Sequence, residues 1–325
     1  MRRKWIARRI TELDPDPDYD EIWKLGSAYR PNEFMMNLIY AVTFPHFLLT
    51  DHDAAPVVIS GAGKIFTHPD KRAEDTSRKM QVWLHFGSEA EQTRRTVESI
   101  NKLHEHYFTQ FPDSFRSNDS YLYTLCYEHA GMHRLLRRVG LPGITEKEKR
   151  AGIHFWSQIG KLFRNVSTGE EIEGYPDTFE GVMAYMDRFE GRITEPQPMG
   201  AAGTQAILDQ FAHRWFPRPL HGLARAWVIS LYPEHLIYSY QLKRPHPLVV
   251  RLFRLATAAF FVVGEKVLPD PPDTYTERRQ ARKAAERAAD RAAAARTTPL
   301  AEASSSPAPA MAAGATSSGT CPYPH

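Results

Sequence analysis

Apolar residues recur every three or four positions along most of the chain, which is the period of an amphipathic α-helix. Runs of alternating apolar and polar residues, which indicate β-strands, are nearly absent. The pattern predicts helices over residues 72–86, 89–108, 120–139, 146–163, 178–190, 204–212, 220–230, 233–240 and 247–267. Before one of them, Thr145 and Glu148 have the Thr-x-x-Glu spacing of a capping box. We therefore predict an all-α fold.

Two apolar stretches are candidates for membrane spans, at residues 34–49 and 248–263. A transmembrane helix needs about 20 consecutive apolar residues. Both stretches are shorter and contain polar or helix-breaking residues, namely Asn37, Pro45 and His46 in the first and Arg251 and Arg254 in the second. We predict that both are buried helices and that no helix crosses a membrane. The basic residues 1–10 lack the apolar run of a secretory signal, but they favour peripheral contact with an anionic membrane surface.

The chain divides into three parts by composition. Residues 1–270 carry the helical pattern and no repeat of 20–50 residues, so they are expected to form one folded domain. Residues 271–296 are rich in Ala and Arg and have few large apolar side chains, which predicts an exposed helix. Residues 297–325 are mostly Ser, Ala, Pro and Gly, which predicts a disordered tail.

Charge and cysteine content narrow the class of protein. The chain has 41 Lys and Arg against 38 Asp and Glu, a net charge of +3, so we expect no nucleic-acid partner. The two cysteines, Cys126 and Cys321, cannot form a disulfide framework. We expect a cytoplasmic protein with reduced thiols.

The common catalytic motifs are incomplete in this sequence. Gly61-Ala62-Gly63-Lys64 resembles part of a phosphate-binding loop, but Val58 and Ile65 stand where Gly and Ser or Thr are required. No His-Glu-x-x-His, Glu-x-x-His, Gly-x-Ser-x-Gly or Cys-x-x-Cys occurs. The candidate chemistry therefore lies in the fourteen histidines.

His104 is the strongest histidine candidate. In the helix predicted over residues 89–108 it shares one face with Val97, Ile100 and Tyr107. A histidine on an apolar face is either a satisfied core residue or an axial ligand to a flat apolar cofactor such as haem, because neutral imidazole binds iron.

Two further pairs have helical spacing. His129 and His133 lie four residues apart and have the spacing of a metal-binding pair, but no third ligand is near in sequence, so a packing role or a role in a distal pocket is favoured. Arg72 and Thr76 also project together. The Arg can pair with a carboxylate such as a haem propionate, or both residues can lie at an exposed helix start.

Taken in order, several segments resemble the family of mpaB-type oxygenases and rubber oxygenase (latex clearing protein). The resemblance covers roughly residues 5–265. It includes the Lys71-Arg72 and Asp75-Thr76 pairs, Asn101 with His104, residues 119–125, residues 144–149 and residues 155–160.

The resemblance implies a globin-reminiscent domain over residues 1–270 that holds haem b through its iron. Carried over by position, His104 would be the iron ligand, with Arg72 and Thr76 as the polar pair near the haem. Two positions depart from the rubber oxygenases: Asp75 replaces a Lys that serves as a distal ligand, and Pro56 falls near the place of their catalytic Glu.

The function expected from this resemblance is oxidation of an apolar isoprenoid- or polyketide-like substrate with O2, with or without cleavage of a C=C bond. His129 or His133 would then act in the distal pocket. The predicted apolar wall comprises Phe34, Met35, Met36, Leu38, Ile39, Trp83 and Phe86. Two alternatives remain open. One is a haem protein that senses, or reacts as a peroxidase, and the other is a cofactor-free helical interaction protein.

Overall fold

The computed structural model describes residues 4–302, and the side chains in that range except those of Ser60 and residues 294–302. Within this part of the chain every regular element is helical, and a single isolated bridge pairs Arg164 with Glu171. The predicted all-α fold is therefore confirmed.

Most of the helices follow one another through short connections, and a longer irregular segment joins Leu162 to Phe179. In chain order they are α1 (Trp5–Glu12), α2 (Tyr19–Ser27), α3 (Glu33–Thr43), α4 (Asp51–Val58), α5 (Lys64–Thr67), α6 (Pro69–Phe86), α7 (Glu91–Gln110), α8 (Asn118–Arg138), α9 (Glu146–Leu162), α10 (Phe179–Gly191), α11 (Pro198–Trp215), α12 (His221–Ser230), α13 (Glu234–Ser239), α14 (Pro247–Val262) and α15 (Tyr275–Glu302). Short 3-10 segments span Phe44–Leu48, Ile59–Gly61 and Arg218–Leu220, and a π-helical turn spans Val263–Val267.

Local sequence signals explain several helix starts. The predicted capping box is present: Thr145 accepts a hydrogen bond from the backbone N–H of Glu148, and the Glu148 carboxylate accepts one from the backbone N–H of Thr145 at 2.8 Å. Asn32 caps α3 by accepting from the backbone N–H of Met35 at 2.8 Å. These bonds satisfy backbone donors that a helix start otherwise leaves unpaired.

The core is centred on α8, which buries side chains on several of its faces. Tyr123, Cys126 and Tyr127 pack in the main apolar cluster, and Leu122 and Leu125 pack in a second cluster with Trp156. An α-helix that is apolar nearly all round is typical of a central position. α8 therefore places the residues between Tyr121 and Leu135 in the middle of the fold.

The described residues fall into two units, residues 4–277 and residues 278–302. In the second unit, residues 280–293 of α15 are exposed. The helix extends to Glu302, beyond the end predicted at residue 296. The remainder of the predicted disordered tail, residues 303–325, lies outside the described residues.

The two apolar stretches differ in how far they are buried. Residues 34–49 form α3 and a 3-10 segment and are largely buried, as predicted. The prediction of a buried helix over residues 248–263 is wrong, because Thr257 is the one buried residue of α14. Residues Pro247–Val267 are also the one described segment that is long and apolar enough to cross a membrane.

Contacts along one side attach α14 to the fold. The Trp227 ring of α12 lies parallel to the Phe253 ring, and its Nε1 donates to Thr257 Oγ1 at 2.8 Å. The Arg254 guanidinium donates to the Ser230 carbonyl at 3.0 Å. The opposite face is left uncovered by the described residues. Because this helix is apolar on most sides, its hydrophobicity did not indicate which side is buried.

Candidate functional site

A cavity of about 1010 Å³ opens between α3, α6 and α8 and reaches the C-terminal end of α14. Its size lies at the upper end of the range of small-molecule pockets. Most of its wall is apolar and includes Met35, Met36, Ile39, Phe44, Met80, Leu84, Met132 and Leu135. Such a wall favours an apolar ligand, because burial removes apolar surface from water.

Some of the predicted site residues line this cavity and others do not. Thr76 and His129 line it, whereas Arg72, His104 and His133 do not. Of the predicted wall, Met35, Met36 and Ile39 line it, and Phe34, Leu38, Trp83 and Phe86 lie elsewhere.

Arg72 and Thr76 contact one another, as their spacing predicts. The Arg72 guanidinium donates to Thr76 Oγ1, and the Thr76 hydroxyl donates to the Arg72 carbonyl at 3.0 Å. The guanidinium also lies 4.6 Å from the centroid of the Phe44 ring, within the range of a cation–π contact. Asp75 points to a different environment, where it pairs with Lys71 at 3.1 Å and Arg78 at 2.9 Å.

His104 lies in an aromatic environment. Its ring stacks on Phe115 with centroids 4.2 Å apart, and the rings of Tyr121 and Phe163 follow at 5.8 and 6.5 Å. Its Nδ1 is buried and has no hydrogen-bond partner among the described residues. Burial, with a smaller effect from the Lys79 ammonium, lowers the pKa of His104 to about 4. The imidazole is therefore neutral at pH 7.

These features fit a residue that would bind the iron of a porphyrin. A metal-binding imidazole must be neutral and must have a nitrogen free to coordinate, and aromatic neighbours suit a flat apolar macrocycle. Lys79 lies within electrostatic reach of both His104 and Arg72. Cationic groups of this kind are the partners that propionate carboxylates require.

His129 is held by hydrogen bonds at both ring nitrogens. Its Nε2 donates to the Lys149 carbonyl at 3.1 Å, so its Nδ1 accepts from the Tyr175 hydroxyl at 2.8 Å. Burial lowers the pKa of His129 to about 3. His133 contacts the same Phe179 ring as His129, with centroids 5.0 Å apart, and its Nδ1 has no partner among the described residues. Among the described residues no third metal ligand lies beside this pair, and their distal role stays a prediction.

A buried cluster that the sequence did not indicate brings together His46, Glu190 and His235. Nδ1 of His46 lies 3.9 Å from one Glu190 oxygen, and Nδ1 of His235 lies 3.5 Å from the other. Within residues 4–302 this is the one group of three His, Cys, Asp or Glu side chains close enough to share a metal. The three residues come from separate elements, so no sequence spacing connects them.

Arg134 makes the cluster of His46, Glu190 and His235 less suited to bind a metal ion. Its Nη1 donates to both Glu190 oxygens at 2.8 and 2.9 Å, and the Tyr123 hydroxyl donates to one of them at 2.8 Å. Two histidines and a carboxylate are the ligand set of many non-haem iron sites. Here the guanidinium already neutralises the carboxylate, and its charge opposes a dication at the same place.

Two buried carboxyl groups were also not foreseen. Glu128 lines the cavity, and burial raises its pKa to about 8. Asp53 bonds to Thr50 at 2.7 Å, and burial raises the pKa of this carboxyl also. Asp53 lies one helical turn before Pro56 in α4, and its charge reaches Tyr121 beside His104. A lone acid in a helical pattern is usually a surface residue, so neither had a sequence signal.

The fold defines a helical protein with a cavity that can enclose an apolar small molecule and, outside the lining of that cavity, a neutral histidine, His104, whose Nδ1 has no partner among the described residues. Comparison with protein families identifies the family to which the chain belongs. The family model described as ER-bound oxygenase mpaB/B'/Rubber oxygenase, catalytic domain, matches residues 34–262. The chain belongs to this family, and the resemblance inferred from the sequence is confirmed.

Membership places the chain in a family of oxygenases, which supports an oxygenase role with a small-molecule substrate and O2. A search of curated proteins gave no match.

Proposed function

We propose that this protein is a haem b-dependent oxygenase that oxidises an apolar substrate held in the cavity between α3, α6 and α8. The observation that carries the proposal is His104, a neutral imidazole with a buried, unpartnered nitrogen in an aromatic environment. An unsatisfied polar atom costs free energy in a folded protein, so its presence in an oxygenase family points to a ligand.

When bound, haem supplies the oxygen chemistry. The residues of this chain would hold and orient it. His104 would bind the iron, and the stacked Phe115 ring would fix the plane of the imidazole. Arg72 and Lys79 would supply positive charge for the propionates. Asp53 is the buried carboxyl closest in sequence to the position of the missing catalytic Glu, and we assign it the task of holding or moving a proton.

The cavity supports the proposed substrate class. Its wall of methionine and aliphatic side chains favours long apolar chains, so we propose an isoprenoid- or polyketide-like substrate. Cleavage of a C=C bond to carbonyl products is the reaction that we propose for such a chain.

The purified protein provides the first test. Expressed with a haem precursor, it should show a Soret band that shifts with dithionite and CO. His104→Ala should remove most of the bound haem, whereas His106→Ala, at an exposed position of the same helix, should leave it unchanged. Full haem uptake by His104→Ala would refute the assignment.

The cluster of His46, Glu190 and His235 is the competing iron site, and a metal assay separates the two. If iron is bound without haem and is lost in His46→Ala but not in His104→Ala, the protein is a non-haem iron oxygenase. A haem sensor would instead retain the spectrum and consume no O2 when an isoprenoid is supplied. A colourless, metal-free preparation would favour an interaction protein.

We also propose a cytoplasmic protein that contacts membranes peripherally through α14. Leu248, Leu252 and Leu255 of this helix are 70, 64 and 60% exposed. Between residues 243 and 268 the basic side chains are Lys243, Arg244, Arg251, Arg254 and Lys266, against the single acid Glu265. An apolar face with a basic surround is typical of a helix lying in the interface of an anionic bilayer. α14 also lines the cavity, so this position would admit an apolar substrate directly from lipid.

A further inference from the structure

Glu128 is an acid in an otherwise apolar wall. It lies on the face of α8 that also carries Met132 and Leu135, and all three line the cavity. Its side chain is partly accessible, and the space that it meets is the cavity. Within the part of the chain that the structure describes, it has no hydrogen bond or ion pair.

The surroundings of Glu128 favour its neutral form. Burial is the one cause that raises its pKa to about 8, and no neighbouring charge contributes. A neutral carboxyl has an O–H donor as well as an acceptor oxygen. An unpaired group of this kind in a ligand-sized cavity is a place for a polar atom of the ligand.

We propose that Glu128 is the polar anchor of the cavity, and that its carboxylic acid group hydrogen-bonds a carbonyl or hydroxyl oxygen of an otherwise apolar ligand. This inference rests on the proposed function, because it takes the cavity as the substrate site. It narrows the proposed substrate class from apolar chains in general to apolar chains that carry an oxygen. A ligand without that oxygen leaves the acid unpaired and binds more weakly.

Tyr40, Tyr127 and His129 also line the cavity, but they do not account for a ligand preference that changes near pH 8. Burial raises the pKa of Tyr40 and Tyr127 and lowers that of His129, so all three are neutral between pH 6 and about 9. The charged groups of the lining are paired within the fold: Arg30 with Asp270, Lys147 with the carbonyls of residues 10, 11 and 13, Glu146 with Lys149, Glu148 with Thr145, and Glu265 with Lys266.

Binding of a matched pair of probes, 2-tridecanone and tridecane, tests the proposal on the full chain as purified. Trp23 and Trp156 line the cavity, so tryptophan fluorescence reports binding. The wild type should bind the ketone about five- to tenfold more tightly than the alkane, which is the effect of one hydrogen bond. Glu128→Gln keeps an N–H donor and should retain the preference, whereas Glu128→Leu should remove it.

The pH dependence provides a second measurement. The preference of the wild type for the ketone should fall above about pH 8, where the acid ionises, and that of Glu128→Gln should not. A preference that survives in Glu128→Leu would overturn the anchor and leave the proposed function intact. Failure of both probes to bind any variant would overturn the anchor together with the substrate cavity. Circular dichroism establishes that each variant is folded.

Discussion

The ring of His104 lies nearly parallel to the ring of Phe115, with an interplanar angle of 17° and a centroid distance of 4.2 Å. Phe115 has a φ of +57°, in the left-handed region that bulky side chains seldom adopt. The turn between α7 and α8 therefore holds a strained residue against the predicted iron ligand. Strain of this kind persists where the surrounding contacts fix it, and it is frequent at functional sites.

Replacing Phe115 tests whether this stack orients the ligand. Phe115→Gly relieves the backbone strain but removes the ring, so His104 gains freedom that haem binding must then restrict. We expect the haem affinity to fall by about tenfold, equivalent to about 1.4 kcal/mol, with no loss of helicity. Phe111→Ala, at the end of α7, is the control for the loss of a phenylalanine ring and should leave the haem affinity unchanged. Unchanged haem affinity in Phe115→Gly would show that the stack has no orienting role.

The buried pair of Arg134 and Glu190 is expected to stabilise the fold rather than to hold iron. Glu190→Gln removes the buried carboxylate that pairs with the Arg134 guanidinium and leaves the guanidinium paired with the exposed carboxylate of Asp187. Such a loss costs about 3 kcal/mol. Urea unfolding should show this decrease, while the haem content of the folded variant stays at the wild-type level. Loss of iron in Glu190→Gln with normal stability would instead identify the cluster as a metal site.

Glu128 gives a pH-dependent prediction whose sign follows from its raised pKa. The unfolded chain releases the proton near pH 4.5, and the folded chain retains it up to about pH 8. Stability from this group is therefore present below pH 4.5 and is lost as the pH rises toward 8. Glu128→Gln has no carboxyl group to ionise, so it does not lose this stability. The melting temperature of the variant minus that of the wild type should therefore be larger at pH 8 than at pH 5, by about 2–4 °C for each kcal/mol of stability that the wild type loses. Parallel melting curves at both pH values would contradict the assignment of a neutral buried acid.

Local periodicity was sufficient to predict α6 to α13, because each helix has its own apolar stripe and several have capping residues. The Thr145 capping box and the contact between Arg72 and Thr76 were predictable for the same reason: both depend on spacing within one element. The aromatic surroundings of His104 agree with the apolar face on which the sequence places it, whereas its role as an iron ligand stays a prediction. These predictions use information that lies within one helix.

The features that were missed depend on how distant elements meet. Glu128 looks like any exposed acid until α3 and α6 enclose it, and His46, Glu190 and His235 come from three elements separated along the chain. The exposure of α14 has a related cause. Its composition predicts burial, but the fold covers only the side that faces Trp227.

The exposed face of α14 gives a prediction about membranes. Leu252 and Leu255 point away from the described fold, and burying a leucine in an apolar medium is worth about 1.5–3 kcal/mol. Leu252→Glu combined with Leu255→Glu should therefore lower the fraction of protein that floats with anionic phosphatidylserine vesicles by at least about tenfold. Leu103→Glu, at a 41% exposed position of α7, is the matched control and should float like the wild type.

Arg251 separates the electrostatic part of this binding from the apolar part. Each basic side chain near an anionic surface contributes about 1 kcal/mol, so Arg251→Gln should weaken binding by about fivefold at low salt and by less at high salt, where the charges are screened. Neutral phosphatidylcholine vesicles should show no difference between Arg251→Gln and wild type. If the double Leu variant binds both kinds of vesicle as well as the wild type, and gel filtration shows that wild type alone dimerises, α14 is an interface between two copies of the chain and not a membrane contact.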